Sequence, residues 1–340
     1  MVTIVHMTGL RTIARCAVPA GSLLVSALVS TLFSVPASAQ QIYPNRPIRF
    51  IVPYPPGGPT DIIGRTINDR LGKRLGQQVV VDNRAGAATV IGAEIAARAP
   101  ADGYTLLLAT ITTLAVNPAL KAKLPYHPER DFAPVSMLAA QPYLLVVHPG
   151  VPATSVLQLV AHAKSQPGKL SFASAGIGAG AHLAAELFKH MARIDVVHIP
   201  YKGSAPAMTD VMTGQCAYMF AGISAAFPHT VSGKLRALAV STANRSASMP
   251  EMPTIAESGL PGYQTNTWNS LVVPRGTPEP IIQRLNTEVV GILNEPEVRE
   301  RLKQQGIDPD PGTPAQLAAH IKSEAARFDN LIKTIGLKPE

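Results

Sequence analysis

The alternation of short β-rich runs with segments of helical periodicity constrains the fold of this chain more than any other feature. The first such pair is a run from Ile48 to Tyr54, followed by apolar residues at helical spacing from Ile62 to Leu75. The same order of strand and helix recurs along most of the chain. Because helices of this length between strands are typical of βαβ units, the pattern predicts an α/β fold with largely parallel sheets.

The remaining predicted elements follow the same rule until the last strand. The predicted strands are 79–81, 104–109, 143–147, 170–174, 196–199, 235–241 and 267–273. The predicted helices are 90–99, 155–164, 181–191, 206–213, 281–293, 297–305 and a long closing helix at 315–335. The last three come without intervening strands, so we expect this helical tail to pack on one of the α/β units.

The first 39 residues have the pattern of a cleavable secretory signal. Arg11 and Arg15 form a basic start, residues 16–35 are apolar and uncharged, and Ala37-Ser38-Ala39 matches a small-x-small cleavage site. Because proline, glycine and several serines dilute the apolar run, we favour removal over a membrane anchor. The sequence therefore predicts export to the periplasm. Only Cys216 would remain, so no internal disulfide is expected.

The charge of the chain is moderate and spread out. Its formal value is +8, and loss of residues 1–39 removes two arginines and no acid, which lowers it to +6. No basic tract interleaves with aromatic residues, which argues against a nucleic-acid platform. This balance suits an anionic solute or an anionic membrane surface, and a solvated basic face is the plainer alternative.

Two glycine-rich loops join a predicted strand to a predicted helix. We call residues 54–61 the first glycine loop and residues 174–182 the second glycine loop. The segment 55–59 cannot continue a strand or start a helix, so Thr60 or Asp61 is expected to cap the helix that follows. Free backbone N–H groups and the helix dipole make such junctions anion sites. Two loops of this kind predict a carboxylate held from both sides, and two tight turns without a ligand are the alternative.

Several side chains beside these loops have both a binding and a structural interpretation. Asp61 could contact a ligand or stabilise its own helix. His182 could donate to a bound carboxylate or order the second loop. Thr110, Thr112 and Thr113 follow the third strand, and their hydroxyls could bind a ligand or form local turn bonds.

The second loop also fits part of a dinucleotide-binding pattern. Gly176, Gly178 and Ala181 match G-x-G-x-x-G/A, and Asp195 lies nineteen residues after Gly176. In a nicotinamide enzyme, however, the acid ends its strand, whereas Asp195 starts one. We therefore expect no dinucleotide and no other cofactor.

The sequence shows no convincing catalytic or metal-binding constellation. The nine histidines include no H-E-x-x-H and no pair spaced for zinc. G-x-S-x-G is absent, and Ser174 has no base within its motif. The sequence therefore favours a binding protein over an enzyme.

A series of ordered blocks spans nearly the whole chain after the predicted signal. They are 43–54, 56–61, 75–84, 101–106, 117–120, 131–134, 182–188, 200–206, 233–238 and 274–278. Representative blocks are Pro56-Gly-Gly-Pro-Thr-Asp61 and Pro200-Tyr-Lys-Gly-Ser-Ala-Pro206. In these blocks the chain resembles the substrate-binding proteins of tripartite tricarboxylate transporters, also called the Bug (Bordetella uptake gene) family.

The resemblance implies a two-lobed type II periplasmic-binding-protein fold, each lobe a mostly parallel sheet flanked by helices. Residues 43–141 and 264–340 would form one lobe, and 142–263 the other. It implies a monomer that binds a small organic carboxylate through backbone amides and delivers it to the membrane subunits of the transporter. The implied ligand contacts are Gly57, Gly58, Thr60, Asp61, Thr110, Thr112, Ser174, Gly176, Gly178 and His182.

Three segments near the expected cleft depart from the family pattern. Ala221 stands where an acidic residue is frequent, Thr267–Ser270 replaces Ser-Trp-Tyr-Gly, and the loop 110–114 is atypical. Dicarboxylates, citrate-like acids, acidic amino acids and aromatic acids all stay open as ligands. A sensing role for the same module, and a secreted enzyme with the same cleft, are the alternative functions.

Overall fold

The structure, a computed structural model, describes residues 43–246, 248–334 and 336. The predicted signal at 1–39 and the last residue of the predicted closing helix, Ile335, lie outside the described residues. Within the described ranges, no helix is long and apolar enough to cross a membrane.

The described residues form ten strands in one connected sheet, with helices between most of them. The strands are β1 (Ile48–Val52), β2 (Val79–Asn83), β3 (Thr105–Thr110), β4 (Phe132–Val147), β5 (Ser171–Ser174), β6 (Val197–Pro200), β7 (Tyr218–Gly222), β8 (Arg236–Val240), β9 (Asn266–Pro274) and β10 (Asp308–Pro309). The α-helices are α1 (Pro59–Leu75), α2 (Val90–Ala97), α3 (Asn117–Leu120), α4 (Pro128–Asp131), α5 (Val156–Ser165), α6 (Gly180–Ala192), α7 (Ser204–Met212), α8 (Ile223–Val231), α9 (Glu279–Leu293), α10 (Pro296–Lys303) and α11 (Pro314–Thr334). The predicted α/β class is confirmed.

The sheet is parallel at its two ends and antiparallel in the middle. Its strand order is β2-β1-β3-β9-β4-β7-β5-β6, and β8 and β10 also pair with β4. Strand β1 runs parallel to β2 and β3, and β5 runs parallel to β6 and β7. The long strand β4 joins the two halves, because Phe132–Pro142 pairs with β9 whereas Tyr143–Val147 pairs with β7 and β8.

Helices cover both faces of each half of the sheet. In the half with β1 and β3, buried side chains of α1 and α9 pack on one face and those of α2 and α11 on the other. In the half with β5 and β7, α5 and α6 pack on one face and α7 and α8 on the other. Each half therefore has the helix–sheet–helix layering that buries parallel strands on both faces.

The start of α1 differs from the prediction. The expectation that 55–59 cannot start a helix, and that Thr60 or Asp61 caps it, is wrong. The helix begins at Pro59, and Gly58 occupies the N-cap position without a side-chain hydrogen bond. Proline fits the first helical position because its ring presets φ and the N–H that it lacks would have no helical partner.

Candidate ligand-binding site

The two glycine loops follow parallel strands on opposite sides of β4, the strand at which the order of the sheet changes direction. The first loop follows β1, and the neighbouring parallel strand β3 ends at Thr110, which pairs with Asn269 of β9. The second loop follows β5, whose parallel neighbour β7 ends at Gly222, opposite Tyr143. The carboxyl ends of both parallel groups thus meet near residues 139–143 of β4. Open α/β sheets bind ligands at such switch points.

Asp61 orders the first glycine loop. Its buried carboxylate accepts hydrogen bonds from the N–H of Gly57 at 2.9 Å, Nε of Arg65 at 2.8 Å and Nδ2 of Asn83 at 2.9 Å. The same Asn83 amide donates to the carbonyl of Tyr54 at 3.0 Å. One carboxylate therefore ties the loop to its own helix and to β2.

These bonds also set the protonation state of Asp61. Burial by itself raises the pKa of this carboxyl, but the bonds from Arg65, Gly57 and Asn83 outweigh burial, and the pKa lies below its ordinary value. Asp61 is therefore negatively charged at neutral pH and forms an ion pair with Arg65.

His182 and Ser174 order the second glycine loop. Nδ1 of His182 accepts from the N–H of Gly178 at 3.2 Å. The Ser174 hydroxyl accepts from the N–H of Gly176 at 3.2 Å and lies 2.7 Å from Nε2 of His198. Gly178 has a φ of +74°, a conformation that favours glycine, and a Cβ there would lie 3.1 Å from Leu120 Cδ1.

His182 of this loop and its neighbour His198 on β6 are both held neutral. The ring of His198 stacks on Phe172 at 4.7 Å and on His182 at 4.1 Å. Burial, followed by the nearby His198 and Lys189, lowers the pKa of His182 to about 3. Burial and Lys189 lower the pKa of His198 to about 4. Because Nδ1 of His182 is an acceptor, the proton of its neutral ring is on Nε2.

The threonines after β3 form a buried hydroxyl cluster. Oγ1 of Thr110 lies 3.4 Å from the Tyr54 hydroxyl and 3.3 Å from Oγ1 of Thr113, which donates to Thr89 at 2.9 Å. Thr112 is buried at the start of a π-helical segment, Thr112–Val116. Local hydrogen bonds therefore account for Thr110 and Thr113.

The structure places the ten predicted contact residues on the two glycine loops and at the end of β3. They are Gly57, Gly58, Thr60 and Asp61 in the first loop, Thr110 and Thr112 after β3, and Ser174, Gly176, Gly178 and His182 in the second loop. The N–H groups of Gly57 and Gly178 are used within their own loops, which leaves the first turns of α1 and α6 to offer backbone donors.

Two functional neighbours were not predicted from the sequence. His198 comes from β6, and its contact with Ser174 arises from the parallel pairing of β5 with β6. Tyr143 reaches across from β4, and its hydroxyl occupies the space that a Cβ at Gly180 would need. Neither contact has a local sequence signal, because both depend on strand register.

Ser174 and His198 resemble the nucleophile and base of a hydrolase, but Ser174 is fully buried. Its hydroxyl is also engaged with the backbone of Gly176. A nucleophile has to reach the reacting carbon, so this arrangement favours loop ordering. In the ranges described by the structure, no group of three or more histidine, cysteine or acidic residues could hold a metal ion.

The dinucleotide interpretation does not fit the sheet. Asp195 precedes β6, and its carbonyl accepts from the N–H of Gly168, so it lies at the opposite end of the strands from the second glycine loop. The acid of a dinucleotide fingerprint has to lie at the same edge as the glycines.

A separate cavity of about 360 Å³ lies at the start of β9, where Asn266 is one of its lining residues. Arg245, His320, Glu324 and Arg327 are among its lining residues, and Nε1 of Trp268 donates to Glu324 at 3.1 Å. Its lining includes none of the ten predicted contact residues, so it is distinct from the candidate site.

Residues 63–337 match the family described as the tripartite tricarboxylate transporter family receptor. The chain belongs to this family. This receptor is 40% identical to protein BugT of Bordetella pertussis over 306 residues, which cover 90% of this chain and 94% of BugT. The predicted Bug-family resemblance is confirmed.

Solved structures of relatives share the fold of the receptor. Rpa4515 of R. palustris with adipate is 38% identical, with a TM-score of 0.81 over 88% of this chain and 100% of that chain. MatC (Rpa3494) of Rhodopseudomonas palustris with bound malate is 33% identical, with a TM-score of 0.76 over 85% and 100% of the two chains. The predicted two-lobed type II binding-protein fold is confirmed.

Proposed function

We propose that this receptor is exported, binds a small organic carboxylate between its two lobes and delivers it to the membrane subunits of a tripartite tricarboxylate-type transporter. The observation that carries the proposal is the meeting of two glycine loops at the switch in strand order. Each loop begins a helix, where backbone N–H groups and the helix dipole favour an anion. Backbone donors of the two loops can therefore bind a carboxylate from both sides.

The lobes are proposed as residues 43–141 with 264–340, and residues 142–263. The pairing of β4 supports this division, because its partner changes from β9 to β7 and β8 between Pro142 and Tyr143. Strands β4 and β9 would form the hinge region. Ligand binding would then favour the closed arrangement of the lobes, as in other hinged binding proteins.

We assign the carboxylate contacts to the backbone N–H groups of Gly58, Thr60 and Asp61 and of residues 180–182, with Thr110 and Thr112 beside them. Gly57 and Gly178 shape the loops, since Asp61 and His182 already accept their N–H groups. Relatives bound to adipate and malate support a dicarboxylate as the ligand class. The signal pattern at 1–39 supports export to the periplasm, where a transport receptor meets its ligand.

Thermal unfolding of the chain that begins after Ala39, measured against a panel of acids, tests this function. A ligand at one hundred times its dissociation constant stabilises the native state by about 2.7 kcal/mol. We expect a raised melting temperature with at least one dicarboxylate, and no change with sugars or nicotinamide dinucleotides. A shift with a dinucleotide and with no acid would contradict the proposal.

Sensing and catalysis are the competing functions. Deletion of the gene should abolish uptake of the identified acid; loss of an inducible response with normal uptake would instead indicate a sensor. The Ser174–His198 pair is the observation that favours an enzyme. Incubation of the ligand with the receptor, followed by quantification of the acid, should return it unchanged, and turnover would identify an enzyme.

A further inference from the structure

Two buried side-chain atoms on the strands beneath the glycine loops have no hydrogen-bond partner among the described residues. They are Oδ1 of Asn269 on β9 and Nε2 of Gln141 on β4. Asn269 is 1% exposed and Gln141 is 8% exposed. Buried polar atoms in native proteins almost always have a partner, so two neighbouring exceptions indicate a group that the protein alone does not supply.

Strand register places these two amides on one face of the sheet. Asn269 pairs with Ala139 of β4, and Gln141 pairs with Thr267 of β9. Side chains two residues apart on a strand share a face, so Asn269 and Gln141 are diagonal neighbours. Diagonal positions of an antiparallel pair are about 7–8 Å apart, which a single small group between the two side chains can bridge.

A row of polar side chains on this face connects the two loops. On one side Asn269 pairs with Thr110, whose hydroxyl lies 3.4 Å from that of Tyr54 in the first glycine loop. On the other side Tyr143 follows Gln141 by two residues on β4, and its hydroxyl lies against Gly180 in the second glycine loop. A molecule that spans the two loops therefore lies over Asn269 and Gln141.

The two orphan atoms have complementary chemistry. Oδ1 of Asn269 accepts a hydrogen bond, and Nε2 of Gln141 donates one. A hydroxyl group can donate to the first and accept from the second. An ammonium group can satisfy only the acceptor, and a methylene group satisfies neither.

We propose that Asn269 and Gln141 select a carboxylate that carries a hydroxyl group between its acidic ends. This inference rests on the proposed carboxylate-binding function and specifies its ligand class. The other buried side-chain atoms without a hydrogen-bond partner among the described residues lie elsewhere. Thr66 is on α1, Tyr218 is on β7, and His320 faces the opposite side of β9, beside Trp268.

The first experiment measures dissociation constants by calorimetry for pairs of acids that differ only in one hydroxyl. Suitable pairs are malate with succinate, 2-hydroxyglutarate with glutarate, and citrate with tricarballylate. We expect the hydroxy acid of the best-fitting pair to bind about 10- to 100-fold more tightly, as a buried hydrogen-bonding site rejects the analogue that leaves it unpaired. Equal binding of the two acids in the best-fitting pair would overturn this inference and leave the carboxylate function intact; binding of no acid would overturn both.

The second experiment compares Asn269→Leu and Gln141→Met with Tyr218→Phe. The first two replace an orphan amide by an apolar side chain of similar size, so the preference for the hydroxy acid should fall to within about threefold. Tyr218→Phe removes an orphan hydroxyl from the core of β7 and should keep the preference.

The melting temperature without ligand separates selection from a structural role. Removing an unpaired buried polar atom is neutral or stabilising, so the ligand-free Asn269→Leu protein should melt no lower than the parent. A lower melting temperature together with an unchanged hydroxy-acid preference would show that Asn269 is structural and would overturn the proposal.

Discussion

In the first glycine loop a charged carboxylate accepts the N–H of Gly57, whereas in the second a neutral imidazole accepts the N–H of Gly178. In both cases the acceptor lies four residues later, in the first turn of the following helix. Asp61 shares its charge with Arg65, and His182 lies in a stack with His198 and a phenylalanine ring. The two loops therefore have the same backbone arrangement but different electrostatics.

This difference shows that the side chain that orders a glycine loop does not have to carry a charge that attracts an anion. In neither loop does a cationic side chain order the glycine turn. Asp61 places a negative charge in the first turn of α1, where Gly58 and not Asp61 is the N-cap residue. His182 is neutral, so it adds no charge to the first turn of α6. The two loops should therefore respond differently to substitution and to pH.

The largest effect is expected at Asp61. Replacement by alanine removes the acceptor of Gly57, Arg65 and Asn83 together, so Asp61→Ala should lower the free energy of unfolding by about 2–4 kcal/mol. Asp61→Asn keeps the size and one acceptor, so its loss should be about half as large. Urea denaturation measures both, and a loss below about 0.5 kcal/mol in the alanine variant would show that the first loop does not depend on this carboxylate.

The next effect separates the loops by pH. The pKa of His182 is about 3 in the native state, because of burial first and then His198 and Lys189, and about 6.5 in the unfolded chain. Between these values only the unfolded chain takes up the proton, so stability falls as the pH drops below 6.5. At pH 5 the contribution of His182 to this loss is about 2 kcal/mol.

His182→Asn keeps an acceptor for Gly178 and does not titrate in this range. Its free energy of unfolding should therefore fall less than that of the parent between pH 7 and pH 5, as measured by urea denaturation at both values. The pKa of Asp61 is lowered, so its stabilisation should persist until the pH drops below about 4. An equal fall in parent and variant would contradict the assignment of His182.

The smallest effect concerns the glycines at the two helix starts. A Cβ at Gly180 would collide with the Tyr143 hydroxyl, whereas a Cβ at Gly58 would approach only the Pro55 carbonyl, at 3.9 Å. Gly180→Ala should thus cost about 1–2 kcal/mol, and Gly58→Ala should cost less than Gly180→Ala. Tyr143→Phe should restore most of the stability of Gly180→Ala; failure to do so would locate the strain elsewhere.

The sequence predicted the alternating elements well, because each has its own periodicity. It missed the first part of β4, whose run Phe132–Pro142 contains two prolines and polar residues and pairs with β9 through two irregularities in register. It also missed β7 and α8, since Pro228 lies inside α8 and interrupts the helical pattern. Local patterns do not show strands that tertiary pairing alone sustains.

The candidate site shows the same limit. Both glycine loops were recognisable because a strand, a glycine run and a helix follow one another in the chain. The partners that order them, Asn83 and His198, and the diagonal of Asn269 and Gln141, come from strand register. One sequence does not encode register in a readable local pattern, so these contacts required the structure.

The central claim is that one anion is bound by both glycine loops at once. Titration of the isotopically labelled receptor with the tightest-binding hydroxy acid, followed by amide chemical shifts, tests this claim directly. We predict that the amides of Gly58, Thr60 and Asp61 and those of residues 180–182 shift together and saturate with a single dissociation constant. Shifts confined to one loop, or centred on the cavity beside Trp268, would contradict it.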